Sequence, residues 1–131
     1  MTVVDTQPSS TLRRALQVAA VLTVLSVGFQ YVTAGQLFPE GGPEELHAGG
    51  AVVLHVLSGL TALAAVLLWR RQGAPASLAV LAAVVFVFTF VQASTGGRDH
   101  LAVHVPGAMV LTVGAVWVAV AAFGSAPRRS S

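Results

Sequence analysis

Glu44-Glu-Leu-His47-Ala-Gly-Gly50-Ala51-Val-Val53-Leu54 opens one long apolar run, and Leu101-Ala-Val-His104-Val-Pro-Gly107-Ala108-Met-Val110-Leu111 opens another. Both contain His-x-x-Gly-Ala-x-Val-Leu in the same register. The apolar stretches before them also end alike, with Phe29-Gln30 in one and Phe90-Val-Gln92 in the other. Two similar units, each a pair of apolar segments, are the simplest organisation that accounts for this echo.

Working outward, the chain offers four runs long enough to cross a bilayer, which takes roughly 20 mostly apolar residues. They extend from about Leu12 to Ala34, Glu44 to Trp69, Ala76 to Ser94 and His100 to Phe123. Gly-containing breaks, the first two also with Pro, separate them at 35–43, 72–75 and 95–99. Of the 131 residues, 55% are hydrophobic and 9% charged, too little charge to cover a water-soluble domain of this size. The expectation is an all-α, integral membrane, up-and-down four-helix bundle built from two similar hairpins. It occupies residues 12–124, with polar tails at 1–11 and 125–131. Short connections make consecutive helices antiparallel neighbours. Asp5 and the polar stretch before Arg13 do not read as a secretion signal, so the first run is expected to stay as a helix.

The arginines give an orientation. Arg13, Arg14, Arg70, Arg71, Arg128 and Arg129 fall on one side of four alternating spans, and only Arg98 falls on the other, beside Glu40, Glu44, Glu45 and Asp99. Basic residues concentrate on the cytoplasmic side. The chain is therefore expected in the cell membrane as a multi-pass protein with both termini in the cytoplasm.

His47 lies 23 residues before Arg70, and His104 lies 24 before Arg128. The two histidines should thus be level, near the outer face, on helices that run the same way. Paired imidazoles across a bundle suit the axial positions of haem iron. Gly50 and Ala51 beside His47, and Gly107 and Ala108 beside His104, leave room for a flat ring. Ser58 falls on the same side, and Phe86, Phe88 and Phe90 are candidate apolar walls. Other readings stay open. His55 lies about 12 Å deeper than His47 and is an alternative ligand, a proton carrier or a helix-packing residue. His100 stands one turn outward of His104, as an alternative ligand, an interfacial residue or a partner for a haem propionate. Glu44, at i−3 from His47, either orients that imidazole, acts as a base, or simply favours a helix N-terminus next to Pro43.

On these residues the chain resembles one four-helix half of the heme A synthase family. Glu44-Glu-Leu-His47 matches the Glu-x-x-His motif that opens the second helix of each half, and His104 takes the place of the fourth-helix ligand. The resemblance implies haem b held by His47 and His104 near the outer face, for electron transfer or haem handling. It covers all four helices. Departures are Ala48 where an Arg often follows the first ligand, the lack of loop cysteines, and the presence of a single half. A homodimer would restore the eight-helix arrangement. The family's oxygenase chemistry is not carried over, so an enzymatic activity stays open.

Two further classes compete. A haem-free copper or zinc site would need His47, His100 and His104 to converge, with Glu44 as an optional fourth ligand. An accessory subunit without cofactor would rely on small-residue helix faces to associate. The expected surroundings are the lipid bilayer and a redox partner of unknown identity. No charge run points to nucleic acid, and no P-loop, dinucleotide fingerprint, nucleophile elbow or His-Glu-x-x-His motif occurs. With no cysteine, disulfides, iron–sulfur clusters and thiolate sites are excluded.

Overall fold

The computed structural model describes residues 8–38 and 41–124, with side chains from residue 11 onwards. The described residues form four long helices, α1 (Pro8–Gln36), α2 (Glu44–Gln72), α3 (Ala76–Ser94) and α4 (Leu101–Gly124), with a 3-10 turn, Arg98–His100, leading into α4. All four are long and apolar enough to cross a membrane. The expected spans are recovered with shifted ends. α1 starts four residues before Leu12, α2 continues through Arg70 and Arg71 to Gln72, and α4 starts one residue after His100. Glu40, Arg128 and Arg129 lie outside the described residues.

The turn between α2 and α3 follows from its residues. Gly73 takes the left-handed conformation, φ 66°, and its N–H returns to the Leu68 carbonyl, closing the helix. Pro75 then precedes α3 and cannot continue α2. At α2's start, Pro43 precedes the helix rather than forming its first turn.

Each helix packs against its neighbours in the chain, and α1 closes the ring against α4; α1–α3 and α2–α4 are diagonals. The two ends of the bundle differ. At one end the α1–α2 and α3–α4 connections meet, with the Arg98 guanidinium 5.6 Å from the centre of the Phe38 ring. At the other, Gln17 Nε2 donates to the Ala122 carbonyl at 3.3 Å, tying the start of α1 to the end of α4.

Packing differs along the bundle in the same way. The half near Gln17 is closed by small residues, including Ala20, Ala65, Ala79, Ala82, Ala115 and Ala122, all nearly inaccessible. Such residues let helix backbones approach closely. A hydroxyl pair, Thr23 Oγ1 and Thr61 Oγ1, sits among them at 3.0 Å. A void of only about 10 Å³ lies among them. The half near Arg98 is open inside.

Candidate functional site

A cavity of about 500 Å³ occupies the open half, lined by all four helices. His47 enters its wall from α2 and His104 from α4, the diagonal pair, so the two imidazoles stand on opposite sides of one space. The sequence echo governs the whole lining. In the register that places Gln30 on Gln92 and His47 on His104, Val27 maps to Thr89, Tyr31 to Ala93 and Ala34 to Gly96. Likewise Ala48 maps to Val105, Ala51 to Ala108 and Leu54 to Leu111. Sixteen of the eighteen lining residues fall into these eight pairs, and the two left over are Val52 and His55.

The hydrogen bonds at the two histidines also repeat. His47 Nδ1 lies 3.0 Å from Thr33 Oγ1. The Thr33 hydroxyl is itself within 3.1 Å of the Phe29 and Gln30 carbonyls, which accept its proton. The hydroxyl therefore offers only a lone pair to the ring, and His47 Nδ1 carries the hydrogen. His104 Nδ1 lies 3.1 Å from the Gln92 carbonyl and 3.4 Å from Thr95 Oγ1. The Thr95 proton goes to the Val91 or Gln92 carbonyl, so this Nδ1 is a donor as well. In the neutral ring the other nitrogen is then a bare lone pair. Nε2 of both histidines has no hydrogen-bond partner and is not sealed off, among the described residues.

Gly50 and Gly107 are used differently from the expectation. Neither lines the cavity. A Cβ at Gly50 would collide with the Gln30 carboxamide and lie 2.9 Å from the Phe29 ring, and one at Gly107 would collide with the Gln92 carboxamide. Each glycine makes room for a glutamine from the preceding helix rather than for a flat ring. Gln30 Nε2 donates to the His47 carbonyl at 3.2 Å. The cavity's own small residues are Ala51 and Ala108, as expected, with Ala48, Ala34 and Gly96.

The phenylalanines do not form the expected walls. Valines and leucines from α1, α2 and α4 do. Phe86 packs over Gly59, and Phe90 stacks on His55 at 4.2 Å between ring centres. Ser58 is 1% exposed and belongs to the closed half.

His55 lines the cavity, and its Nδ1 is buried without a hydrogen-bond partner. His100 sits in the 3-10 turn, exposed, and takes no part in the cavity wall. The turn runs directly into α4 at Leu101. Glu44, the first residue of α2, is exposed and outside the lining. Among the described residues no three His, Cys, Asp or Glu side chains converge as metal ligands. The convergence needed for a haem-free copper or zinc site on His47, His100, His104 and Glu44 is therefore not found.

Sequence reasoning missed Thr33 and Thr95. The usable signal was Gln-x-x-Thr, present as Gln30-Tyr-Val-Thr33 and Gln92-Ala-Ser-Thr95 at the end of each first helix. No protein-family model matches this chain, nor does a curated protein or a solved structure.

Proposed function

We propose that this chain is a multi-pass cell-membrane protein that holds haem b in the cavity between α2 and α4, with His47 Nε2 and His104 Nε2 as axial ligands. The observation that carries the reading is the repeated hydrogen bonding of the two rings. Both are fixed as Nδ1–H tautomers, each with a free Nε2 lone pair, on opposite walls of one cavity. Metal-bound histidines commonly donate their other ring N–H in this way. The donor count fits as well. A bare ion at a structural site takes four ligands, whereas haem iron needs only two from the protein because the macrocycle fills the plane. The cavity volume lies within the range of cofactor sites, roughly 300–1,000 Å³, and its lining is mostly apolar, as a porphyrin face requires.

Haem iron bound there supplies reversible one-electron exchange. The chain's residues hold the two imidazoles, keep their tautomers, and surround the ring with Val, Leu and Ala. The Arg distribution supports placing the cavity near the outer face, with both termini in the cytoplasm. Electron transfer or haem handling is the role this arrangement suits, and the likeness to half of a heme A synthase points the same way.

The test is an absorption spectrum of the detergent-purified protein, oxidised and then dithionite-reduced. The expected result is a strong Soret band and sharp reduced α and β bands, lost from His47→Ala and from His104→Ala. A protein that stays colourless after expression with added haem overturns the reading, as does full haem retention in both variants.

A further inference from the structure

The two lining residues without a counterpart, Val52 and His55, stand one turn apart on α2. The cavity therefore exceeds its symmetric part only on their side. In the register that pairs His47 with His104, His55 corresponds to Thr112, and Tyr31 corresponds to Ala93. Between α1 and α4 this position is closed, because Tyr31 OH and Thr112 Oγ1 are hydrogen-bonded at 2.9 Å. Between α2 and α3 the matching pair is His55 and Ala93. A methyl group replaces the phenol, and a ring stack between His55 and Phe90, not a hydrogen bond, spans the seam. Val52 is 61% exposed beside it.

His55 differs chemically from the other two histidines in the cavity. Its Nδ1 is buried with no partner, while Nε2 is not buried. A donor proton stranded in an apolar wall costs more than a stranded lone pair. The ring is therefore an Nε2–H tautomer, a hydrogen-bond donor rather than a metal ligand. Phe90, stacked on the imidazole at 4.2 Å, and Phe86, edge-on to Phe90 at 5.2 Å, add flat apolar surface.

We propose that the α2–α3 seam at His55 is a binding site for the head of a membrane-soluble quinone, with His55 Nε2–H donating to a quinone carbonyl. The chemistry of the seam selects this class. It offers one N–H donor, aromatic rings for a flat partner, and the exposed Val52 beside them. Depth excludes other carbonyl sources. His55 is eleven residues from Glu44 and fifteen from Arg70, about 16 and 22 Å along the helix. It thus lies near the middle of a hydrocarbon layer roughly 30 Å thick, away from lipid ester carbonyls and from water-soluble ligands. The proposal goes beyond the haem reading: His55 and Ala93 line the same cavity, but quinone binding there is measured separately from haem.

The test titrates the detergent-purified full chain with two probes, menadione and a decyl-substituted benzoquinone, by isothermal calorimetry. Wild type is expected to bind at one saturable site. His55→Leu, which removes the donor, should weaken binding roughly tenfold. His55→Gln, which retains an N–H donor, should stay within about threefold of wild type. Ala93→Tyr, which copies the residue of the closed seam, should block binding, and it covers the case in which His55→Leu does not fold. Absence of saturable binding of both probes to wild type overturns the proposal. So does unchanged binding in His55→Leu, or in Ala93→Tyr. Because binding is read by heat, the result stands whether or not the protein is coloured.

Discussion

A threonine in an apolar helix ordinarily gives its hydroxyl proton to its own backbone and does little else. Thr33 and Thr95 do that, and in doing so they turn a lone pair toward a histidine. The two sites are not equivalent. The Thr33 hydroxyl lies 3.0 Å from His47 Nδ1, whereas the Thr95 hydroxyl lies 3.4 Å from His104 Nδ1, which has the Gln92 carbonyl closer at 3.1 Å. Thr33→Val should therefore lower haem affinity roughly 10–100-fold, the usual effect of losing such a partner, and Thr95→Val should do less. A haem titration followed at the Soret band measures both, and Thr33→Ser should restore binding. Equal losses in the two valine variants would mean that the hydroxyl bond is not the cause. The role of these threonines was hard to read beforehand, because threonine is unremarkable in an apolar segment and only the repeated Gln-x-x-Thr spacing sets Thr33 and Thr95 apart from Thr23. His47 and His104 were legible, because histidine is costly inside an apolar run and these two share a register. Glu44 and His100 stay outside the cavity wall, in agreement with their readings as a helix-start acid and an interfacial residue.

The helices themselves were readable from hydropathy and from Gly and Pro breaks, with errors of a few residues at their ends. What one helix inserts into another was not, because that depends on rotation about the helix axis. Gly50 and Gly107 are the clearest instance, with each making space for a glutamine of the preceding helix. Gly107→Ala should displace the Gln92 carboxamide and lower haem occupancy, with the bundle still folded. Gly50→Ala should cost more, since the added methyl also meets the Phe29 ring. Comparing thermal midpoints and Soret amplitudes in detergent checks the order. In the closed half the expected response is the reverse. Ala65 is 1% exposed, and Ala65→Leu should force neighbouring helices apart at a cost of about 1–3 kcal/mol. That should appear as a lower midpoint, with the haem spectrum of the surviving folded protein unchanged.

At the scale of the whole molecule, one half of the bundle is packed shut and the other holds a cavity, so the two faces of a membrane would meet different ends of it. The proposed orientation, drawn from the Arg distribution, would turn the shut end to the cytoplasm. A reporter active only in the cytoplasm should then work when fused before residue 8 or after residue 124, and fail when inserted between 36 and 44. The reverse pattern would invert the orientation. The two-hairpin architecture was visible as one short echo, but that echo understated how far the duplication extends, because most paired positions are Ala, Val or Leu and carry no signal one by one. Their pairing has a stereochemical consequence. A half-turn about an axis running between His47 and His104 nearly superposes the cavity on itself, while the rim of haem b, with its methyl and vinyl groups, is not preserved by the same half-turn. The protein should therefore accept the prosthetic group in two orientations differing by a flip of its faces. The proton spectrum of the oxidised state would then show two sets of shifted haem-methyl resonances. Any departure from equal amounts would measure how strongly Val52, His55 and the other unlike positions distinguish one face from the other.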